Sequence, residues 1–302
     1  MQYNPNASLD PSQMGGGGRG RGGTVAVGGG AGLIVLILAL LFGFNPSELL
    51  DATDPYNQGG QSGQAGTQGG LAQPDTRFAG CTTGADIASN RDCRWVAYTN
   101  SIQAYWSQTL PGYQPAKTVV FSGSVTTGCG QATSDLGPFY CPADSTVYFD
   151  DSFFDRMLPQ MGAKGGDAAE AYVVAHEYGH HIQNLTGVMA KVQSARNQTG
   201  PESLQVRLEL QADCYAGTWI AYASNDPKGV ISQVTEDDLY RALDAAQAVG
   251  DDHIQKSQTG RIRPESWTHG SSEQRRYWLN RGFSTGDPNQ CNTFAANALT
   301  KA

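Results

Sequence analysis

A short stretch near the middle of the chain has the spacing of a metal site. Residues 175–181 read AHEYGHH, and one turn of an α-helix stacks His176 and His180 on the same face. Glu177 completes the HExxH pattern of zinc hydrolases, in which the glutamate points at the metal-bound water. The alternative, histidines that only pack in a core, is disfavoured because the chain contains only five histidines. We therefore predict that His176 and His180 bind one catalytic Zn2+ ion and that Glu177 is the general base.

A third ligand is expected downstream, because a catalytic zinc ion takes three protein ligands and leaves one position open for water. Glu209 and Asp213 are four residues apart in a stretch that reads as a long helix, so they share one face. Apolar neighbours surround both acids, a setting that disfavours two unpaired charges. We predict that Glu209 is the third metal ligand and that Asp213 accepts the second ring N–H of His176.

Four stretches of the chain resemble the putative neutral zinc metallopeptidase family of bacteria: HEYGHH, ELQADCYAG, THGSSEQR and GDPNQCNTF. The resemblance covers the chain from about residue 80 onward. Its HExxH plus ExxxD arrangement is similar to that of gluzincin peptidases. It implies a zincin-like domain in which His176, His180 and Glu209 bind zinc, Glu177 is the base, and a peptide or protein is the substrate.

The chemistry implied by this site is hydrolysis without a covalent intermediate. Bound zinc lowers the pKa of its water to about 7, and Glu177 can take the proton and pass it to the leaving amine. One alternative is a tethered extracytoplasmic binding or scaffold module with a structural zinc, against which Glu177 argues. The other is a zinc hydrolase of a different amide or ester, which the motif does not exclude.

His269 is the candidate donor to the oxyanion that develops when water attacks the carbonyl. It stands in the polar loop WTHG just before a helix start, where a side chain can be presented to a cleft. The simpler alternative is that it hydrogen-bonds its own loop, and Tyr215 and Tyr240 are rival donors. We expect His181 to pack beside the site, since it is rotated by about 100° from the residue before it, and His253 to lie in a loop.

Periodicity and turn residues predict the elements that position these side chains. Apolar spacing predicts a helix over residues 92–108, and two short runs predict strands over 117–122 and 146–150. The metal helix begins near Asp167, a second long helix runs from Pro201 to about Tyr222, and capping boxes at Thr235 and Ser271 start two more. Stretches 187–200 and 250–270 are predicted to be connections. The fold class is α+β, mostly helical with a small sheet before the metal helix.

The first quarter of the chain has a different composition. Residues 1–23 are polar and Gly-rich and are predicted to be a disordered cytoplasmic tail. Residues 24–44 carry no charge and can cross a hydrocarbon core of about 30 Å, so they predict one transmembrane helix ahead of the domain. Residues 45–79 indicate a flexible Gly/Gln/Ser linker, and residues 80–302 form the predicted zinc metallopeptidase domain. The alternative is a cleaved signal peptide, although no small-x-small cleavage site follows the span.

Charge distribution indicates the location and the partners. Arg19 and Arg21 precede the predicted span and acidic residues follow it, so we expect a single-pass cell-membrane protein with a cytoplasmic amino terminus and an extracytoplasmic catalytic domain. The net charge is −8 with no basic run, which argues against a nucleic-acid partner. The sequence leaves the oligomeric state unknown.

The six cysteines all lie beyond the first quarter of the chain. An extracytoplasmic location favours their oxidation, and their even number permits three disulfides. Short separations are easily closed, so we predict two local bridges and a third that pins the C-terminal tail to a helix. The predicted pairs are Cys81 with Cys93, Cys129 with Cys141, and Cys214 with Cys291.

Overall fold

The computed structural model describes residues 1–15, 76–226 and 228–299. Its strands are β1 Gln2–Tyr3, β2 Met14–Gly15, β3 Lys117–Phe121, β4 Ser124–Thr127, β5 Gly130–Thr133, β6 Phe139–Cys141, β7 Thr146–Asp150 and β8 Ile231–Gln233. Its helices are α1 Asp86–Ser89, α2 Cys93–Thr109, α3 Leu158–Gln160, α4 Asp167–Leu185, α5 Val188–Gln193, α6 Leu204–Asn225, α7 Glu236–Ala248, α8 Asp251–Thr259 and α9 Ser272–Thr285.

A four-stranded sheet packs beside the helix that carries the HExxH motif. Its order is β2-β3-β7-β6, with β2, β3 and β7 parallel and β6 antiparallel to β7. Strands β1 and β8 pair antiparallel, and β4 and β5 form a separate hairpin. Among the residues that the structure describes, no further strand pairs with the outer side of β6. This strand therefore presents a free edge.

Helix α4 runs through the centre of the domain, and nearly all of its residues are buried. Tyr172, Tyr178 and Ile182 on this helix are at most 2% exposed. Its neighbours include α6, α7 and α2. Side chains on α4 are therefore surrounded by packed elements, which restricts their conformations.

The helices around the site approach each other at glycines. A Cβ atom added to Gly179 in α4 would lie 2.8 Å from the Cα atom of Ala212 in α6. One added to Gly282 in α9 would lie 1.9 Å from the carbonyl oxygen of Cys214 in α6. Side chains of any size would push these helices apart, so the glycines set the spacing of α4, α6 and α9.

Most of the predicted elements are confirmed. The helix over 92–108 and both strands appear as α2, β3 and β7, and the capping boxes at Thr235 and Ser271 are formed. The fold is mostly helical α+β, as predicted. Two predicted connections are partly helical, since they contain α5 and α8. Their sequences have weak periodicity, but tertiary packing stabilises short helices, and Ile254 in α8 is only 6% exposed.

The prediction of a disordered tail is wrong for residues 1–15. Strand β1 pairs with β8, β2 pairs with β3, and the Tyr3 hydroxyl donates to Asp167 at the start of α4 over 2.9 Å. Leu9 and Met14 are at most 5% exposed. Composition misled the prediction, because strand partners far along the chain provide the burial that the local sequence lacks. These contacts pack residues 1–15 against the domain, and the position of both relative to a membrane stays a prediction.

The predicted transmembrane span 24–44 lies outside the described residues, as does the predicted linker up to residue 75. The last linker residues belong to the domain, since Thr76–Phe78 form a 3-10 turn and Phe78 is fully buried. Within the ranges that the structure describes, no helix is both long and apolar enough to cross a membrane.

All three predicted disulfides are present. The bridges are Cys81–Cys93, Cys129–Cys141 and Cys214–Cys291. The first closes a loop ahead of α2, the second joins the β4–β5 turn to β6, and the third joins α6 to the C-terminal tail.

Candidate metal centre

The three predicted ligands converge between α4 and α6. The Nε2 atom of His176 lies 3.2 Å from Oε2 of Glu209, and Nε2 of His180 lies 3.5 Å from the same oxygen. Zinc bonds of about 2.0–2.1 Å in a tetrahedral site hold neighbouring ligand atoms about 3.3 Å apart. The donor set therefore fits one zinc ion and, with three protein ligands, leaves a fourth position for water or substrate.

Asp213 orients the first histidine. Its Oδ1 atom lies 2.8 Å from Nδ1 of His176, so Nδ1–H donates to the carboxylate and Nε2 faces the metal position. The carboxylate is fully buried. Arg275 donates to both of its oxygens over 2.9 Å, and the Tyr172 hydroxyl donates to Oδ1 over 2.7 Å. Asp213 thus lies where the sequence predicted it, with two partners that the sequence did not predict.

The protein environment favours positive charge among these groups. Burial lowers the pKa of His176, but the charge and hydrogen bond of Asp213 outweigh it and raise the pKa to about 9. Burial raises the pKa of Glu209, but the charge of His180 and hydrogen bonds from both histidines hold it well below its usual range. Electrostatics that stabilise imidazolium beside carboxylates also favour a divalent cation in the same place.

Glu177 lines the cleft together with the metal ligands. Burial raises the pKa of its carboxyl, against the opposing charges of His180 and His176. A carboxylate with a raised pKa is a better proton acceptor at neutral pH. The arrangement can therefore move a proton at the position next to the three ligands.

The cleft over these residues has an empty volume of about 1040 Å³, which includes the space open to solvent at its mouth. Its lining residues come from β6, α4 and α6, and also from α5, α8, α9 and nearby loops. Most of the lining side chains are apolar, among them Leu136, Phe139, Phe153, Met161, Val173, Met189, Leu208, Val249 and Ile254. The cleft is therefore suited to apolar groups around a polar centre.

His269 lines the same cleft as the ligands. Its loop is held by Asp251, whose Oδ2 accepts the backbone N–H groups of Thr268, His269 and Gly270 over 2.7–3.0 Å. The rival donors lie elsewhere: Tyr215 packs against Trp106, and Tyr240 is 44% exposed. Neither tyrosine lines the cleft.

The other two histidines have structural surroundings. His181 is buried, its Nε2–H donates to the Gln114 carbonyl over 2.7 Å, and its Nδ1 accepts from the Tyr140 hydroxyl. This is the packing position that the sequence predicted. His253 lies in α8 instead of the predicted loop, and its Nε2 is 2.8 Å from the Met161 carbonyl oxygen.

Sequence reasoning missed several polar residues behind the ligands. Gln205 donates to Oε1 of Glu209 over 3.0 Å, and Gln183 accepts from Nδ1 of His180 over 2.8 Å. Helical spacing was the available signal, because these glutamines lie four residues before and three residues after their partners. Arg275 had no local signal beyond its place in the THGSSEQR stretch.

Three ligands on two packed helices, with a second glutamate in the same cleft, form the arrangement of a metal-dependent hydrolase. The chain belongs to the putative neutral zinc metallopeptidase family, whose family model matches residues 6–294. The match begins at residue 6 and not near residue 80, so the predicted extent of the resemblance was too short. Residues 6–15 are part of the folded domain, which is consistent with their place in the family pattern.

The curated relatives extend this similarity to two bacterial groups. A protein of Mycobacterium bovis and one of Mycobacterium tuberculosis, both called an uncharacterized protein, are each 51% identical over 231 residues, covering 75% of this chain and 78% of theirs. Uncharacterized protein YpfJ of Escherichia coli K12 is 52% identical over 185 residues, 60% of this chain and 62% of its own. No solved structure matches the chain.

Proposed function

We propose that this protein is a zinc-dependent peptidase in which His176, His180 and Glu209 hold one Zn2+ ion and Glu177 is the general base. The observation that carries the proposal is the pair of separations, 3.2 and 3.5 Å, from the histidine nitrogens to one Glu209 oxygen. They match the edge of a tetrahedral zinc site. The presence of Glu177 in the same cleft favours a catalytic over a structural metal.

The roles of the residues follow from their positions. When bound, zinc supplies a Lewis acid that polarises the scissile carbonyl and acidifies water. Glu177 takes a proton from the attacking water and passes it to the leaving amine. Asp213 keeps the proton of His176 on Nδ1. His269, which lines the same cleft, donates a hydrogen bond to the developing oxyanion.

Two features support an extended peptide as the substrate. Residues 137–140, which lead into and form much of β6, line the cleft, and the outer edge of β6 is free of other described strands. An extended peptide can add to such an edge through main-chain hydrogen bonds. An ester or a small amide gains nothing from this edge.

The charges of the cleft favour cleavage inside a chain. Among the lining residues beyond the ligands, Glu177 and Arg275 are the acidic and the basic side chain, and His269 is assigned to the oxyanion. Arg275 already donates to Asp213, Tyr172 and the Val249 carbonyl. No lining cation is left for a terminal carboxylate, and no lining carboxylate outside the metal site is left for a terminal ammonium. We therefore propose an endopeptidase that accepts apolar residues next to the cleaved bond.

The three disulfides support a proposed site of action outside the cytoplasm, because such bonds persist in oxidising compartments. Membrane attachment through residues 24–44 stays a prediction from hydropathy alone.

The test is a digest of peptides with blocked termini by protein of measured zinc content. We expect cleavage next to apolar residues, loss of activity with a chelator and recovery with Zn2+. Glu177→Gln should keep zinc and fold but lose about 10²–10⁴ in rate, because the amide cannot accept the proton. Glu209→Ala should instead lose zinc.

Four results would contradict the proposal. Near-native activity of Glu177→Gln would remove the general base. Full zinc binding by Glu209→Ala would place the third ligand elsewhere. Hydrolysis of esters but of no peptide would favour the alternative hydrolase, and zinc binding with no hydrolysis of either would favour the scaffold module.

A further inference from the structure

The second metal histidine is connected to the C-terminal disulfide by buried hydrogen bonds. Nδ1 of His180 is 2.8 Å from Oε1 of Gln183. Nε2 of Gln183 donates to Oε1 of Gln211 over 3.2 Å, and Nε2 of Gln211 donates to the Cys291 carbonyl over 3.0 Å. Gln183 is fully buried and Gln211 is 7% exposed, so water does not compete for these groups.

Two backbone carbonyls determine the direction of the bonds in this series: that of Cys291 directs Gln211, and that of Leu208 acts with Gln211 on Gln183. The Cys291 carbonyl can only accept, so Gln211 must turn its amide N–H toward it and its oxygen toward Gln183. Gln183 must then donate to Gln211, and it also donates to the Leu208 carbonyl over 2.7 Å. Its oxygen is left to face His180. The His180 proton therefore sits on Nδ1, and the Nε2 lone pair faces the metal position.

The position of the last carbonyl depends in turn on the disulfide. Cys291 lies in the C-terminal tail, and its bond to Cys214 fixes that tail on α6, the helix that also carries Gln211 and Glu209. Across the same contact, the Arg207 side chain donates to the Thr293 carbonyl over 2.5 Å, and the Thr293 hydroxyl donates to the Arg207 carbonyl over 2.6 Å. The tail is thus a structural support for the metal site.

We propose that Gln183 and Gln211 are positioning residues for His180, and that the Cys214–Cys291 disulfide controls zinc retention through them. The inference rests on the proposed role of His180 as a zinc ligand. Outer hydrogen-bond partners of metal ligands change metal affinity by about 10–100-fold when removed. Loss of the disulfide frees the carbonyl that directs Gln211, which leaves Gln183 with the Leu208 carbonyl as its one fixed acceptor, so the reduced protein binds zinc more weakly than the oxidised one.

The test compares full-length variants for zinc affinity, by competition with a chelator, and for the proton position on His180, by 15N NMR of the histidine side chains. Gln211→Met keeps the side-chain volume and removes the link. It should weaken zinc binding by about 10-fold and remove the single protonated Nδ1 signal of His180. The Cys214→Ser, Cys291→Ser double variant should act in the same direction.

Matched controls separate this effect from general destabilisation. Gln198 also donates to two backbone carbonyls, those of Val192 and Ala195, but contacts no metal ligand. Gln198→Met should keep zinc affinity within about twofold, as should replacement of Cys81 and Cys93 by serine. If Gln211→Met does not fold, Gln211→Glu serves instead, because an ionised carboxylate cannot donate to the Cys291 carbonyl.

Unchanged zinc affinity and an unchanged His180 signal in the folded Gln211 variant would overturn the inference, as would equal losses in Gln198→Met. These outcomes are independent of peptidase activity. A wild-type protein that cleaves no peptide, but whose zinc affinity falls tenfold in Gln211→Met, would refute the proposed function and support the inference.

Discussion

At the scale of single residues, the metal site is an ion cluster whose charges offset one another. Glu177, Glu209 and Asp213 are negative, and Arg275 pairs with Asp213 behind His176. Together, the positive charge of Arg275 and that of one divalent cation would balance the negative charge of these three carboxylates. Asp213 has Arg275 as its specific cationic partner, and removal of either one leaves the other buried and unpaired.

Asp213→Ala tests this balance. It should weaken zinc binding by about 10–100-fold, because His176 loses its acceptor. It should also lower the free energy of unfolding by about 3–5 kcal/mol, because Arg275 stays buried without its partner. Chelator competition and denaturant unfolding measure the two effects. Asp237 is the control, since it pairs with Arg241 on the surface, and its loss should cost less than about 1 kcal/mol. Similar results for both variants would contradict the prediction.

His269→Ala tests the oxyanion donor. The variant should keep its zinc and lose about 10²–10³ in kcat with little change in KM, because the lost hydrogen bond forms only in the transition state. His253→Ala is the matched control, because that histidine bonds to a backbone carbonyl and does not line the cleft. Steady-state kinetics on one blocked peptide decide the matter, and a kcat equal to that of the control would exclude the role.

At the scale of elements, the distance between α4 and α6 sets the geometry of the ligands. His176 and His180 are on α4 and Glu209 is on α6, so no helix alone determines the separations across the site. Gly179 lies between His176 and His180 in α4, and Ala212 lies three residues after Glu209 in α6. The close approach at this point is what brings Glu209 within reach of both imidazoles.

Gly179→Ala should therefore damage the metal site without touching a ligand. The new methyl group would lie 2.8 Å from the Cα atom of Ala212, so the helices must move apart. We expect a net destabilisation of about 1–3 kcal/mol, despite the gain of about 1 kcal/mol that alanine brings to a helix, together with weaker zinc binding. Thermal unfolding with and without zinc measures both. Gly80→Ala, with no atom within 4 Å of the added group, should change neither, and a Gly179 variant that behaves like this control would be evidence against the close contact.

At the scale of the whole molecule, residues 1–15 pack against the domain although about sixty residues of sequence separate them from its next described residue. Strand β2 covers the outer side of β3, and Tyr3 contacts Asp167 in the first turn of the metal helix. The amino-terminal segment is thus one of the supports of α4. Its packing requires that segment and domain share a compartment.

This requirement can be tested with two variants, each of which has one added cysteine at an exposed position. In intact cells, a maleimide reagent that does not cross membranes should label Asn6→Cys and Asn280→Cys to the same extent. Both should be labelled without lysis, because the native disulfides favour a location outside the cytoplasm. Labelling of Asn280→Cys alone before lysis would restore the cytoplasmic tail and show that the packing of residues 1–15 is absent in the cell.

Local patterns in the sequence determined the parts of this protein that depend on neighbouring residues. His176, Glu177 and His180 lie within little more than one helical turn, so helical periodicity alone placed both imidazoles on one face. The capping boxes at Thr235 and Ser271 follow from side chains three residues apart. The two short disulfide loops follow from the ease of closing short separations.

Tertiary structure decided what depends on contacts between distant segments. Arg275 reaches Asp213 from α9, and the Cys291 carbonyl reaches Gln211 from the tail, across 62 and 80 residues of sequence. His269 enters the cleft only because Asp251 holds its loop, and residues 1–15 fold only because β3 and β8 offer free edges. Periodicity reports which residues share a face of one element, but the packing of elements, here set by glycines at the crossings of α4, α6 and α9, determines which faces meet.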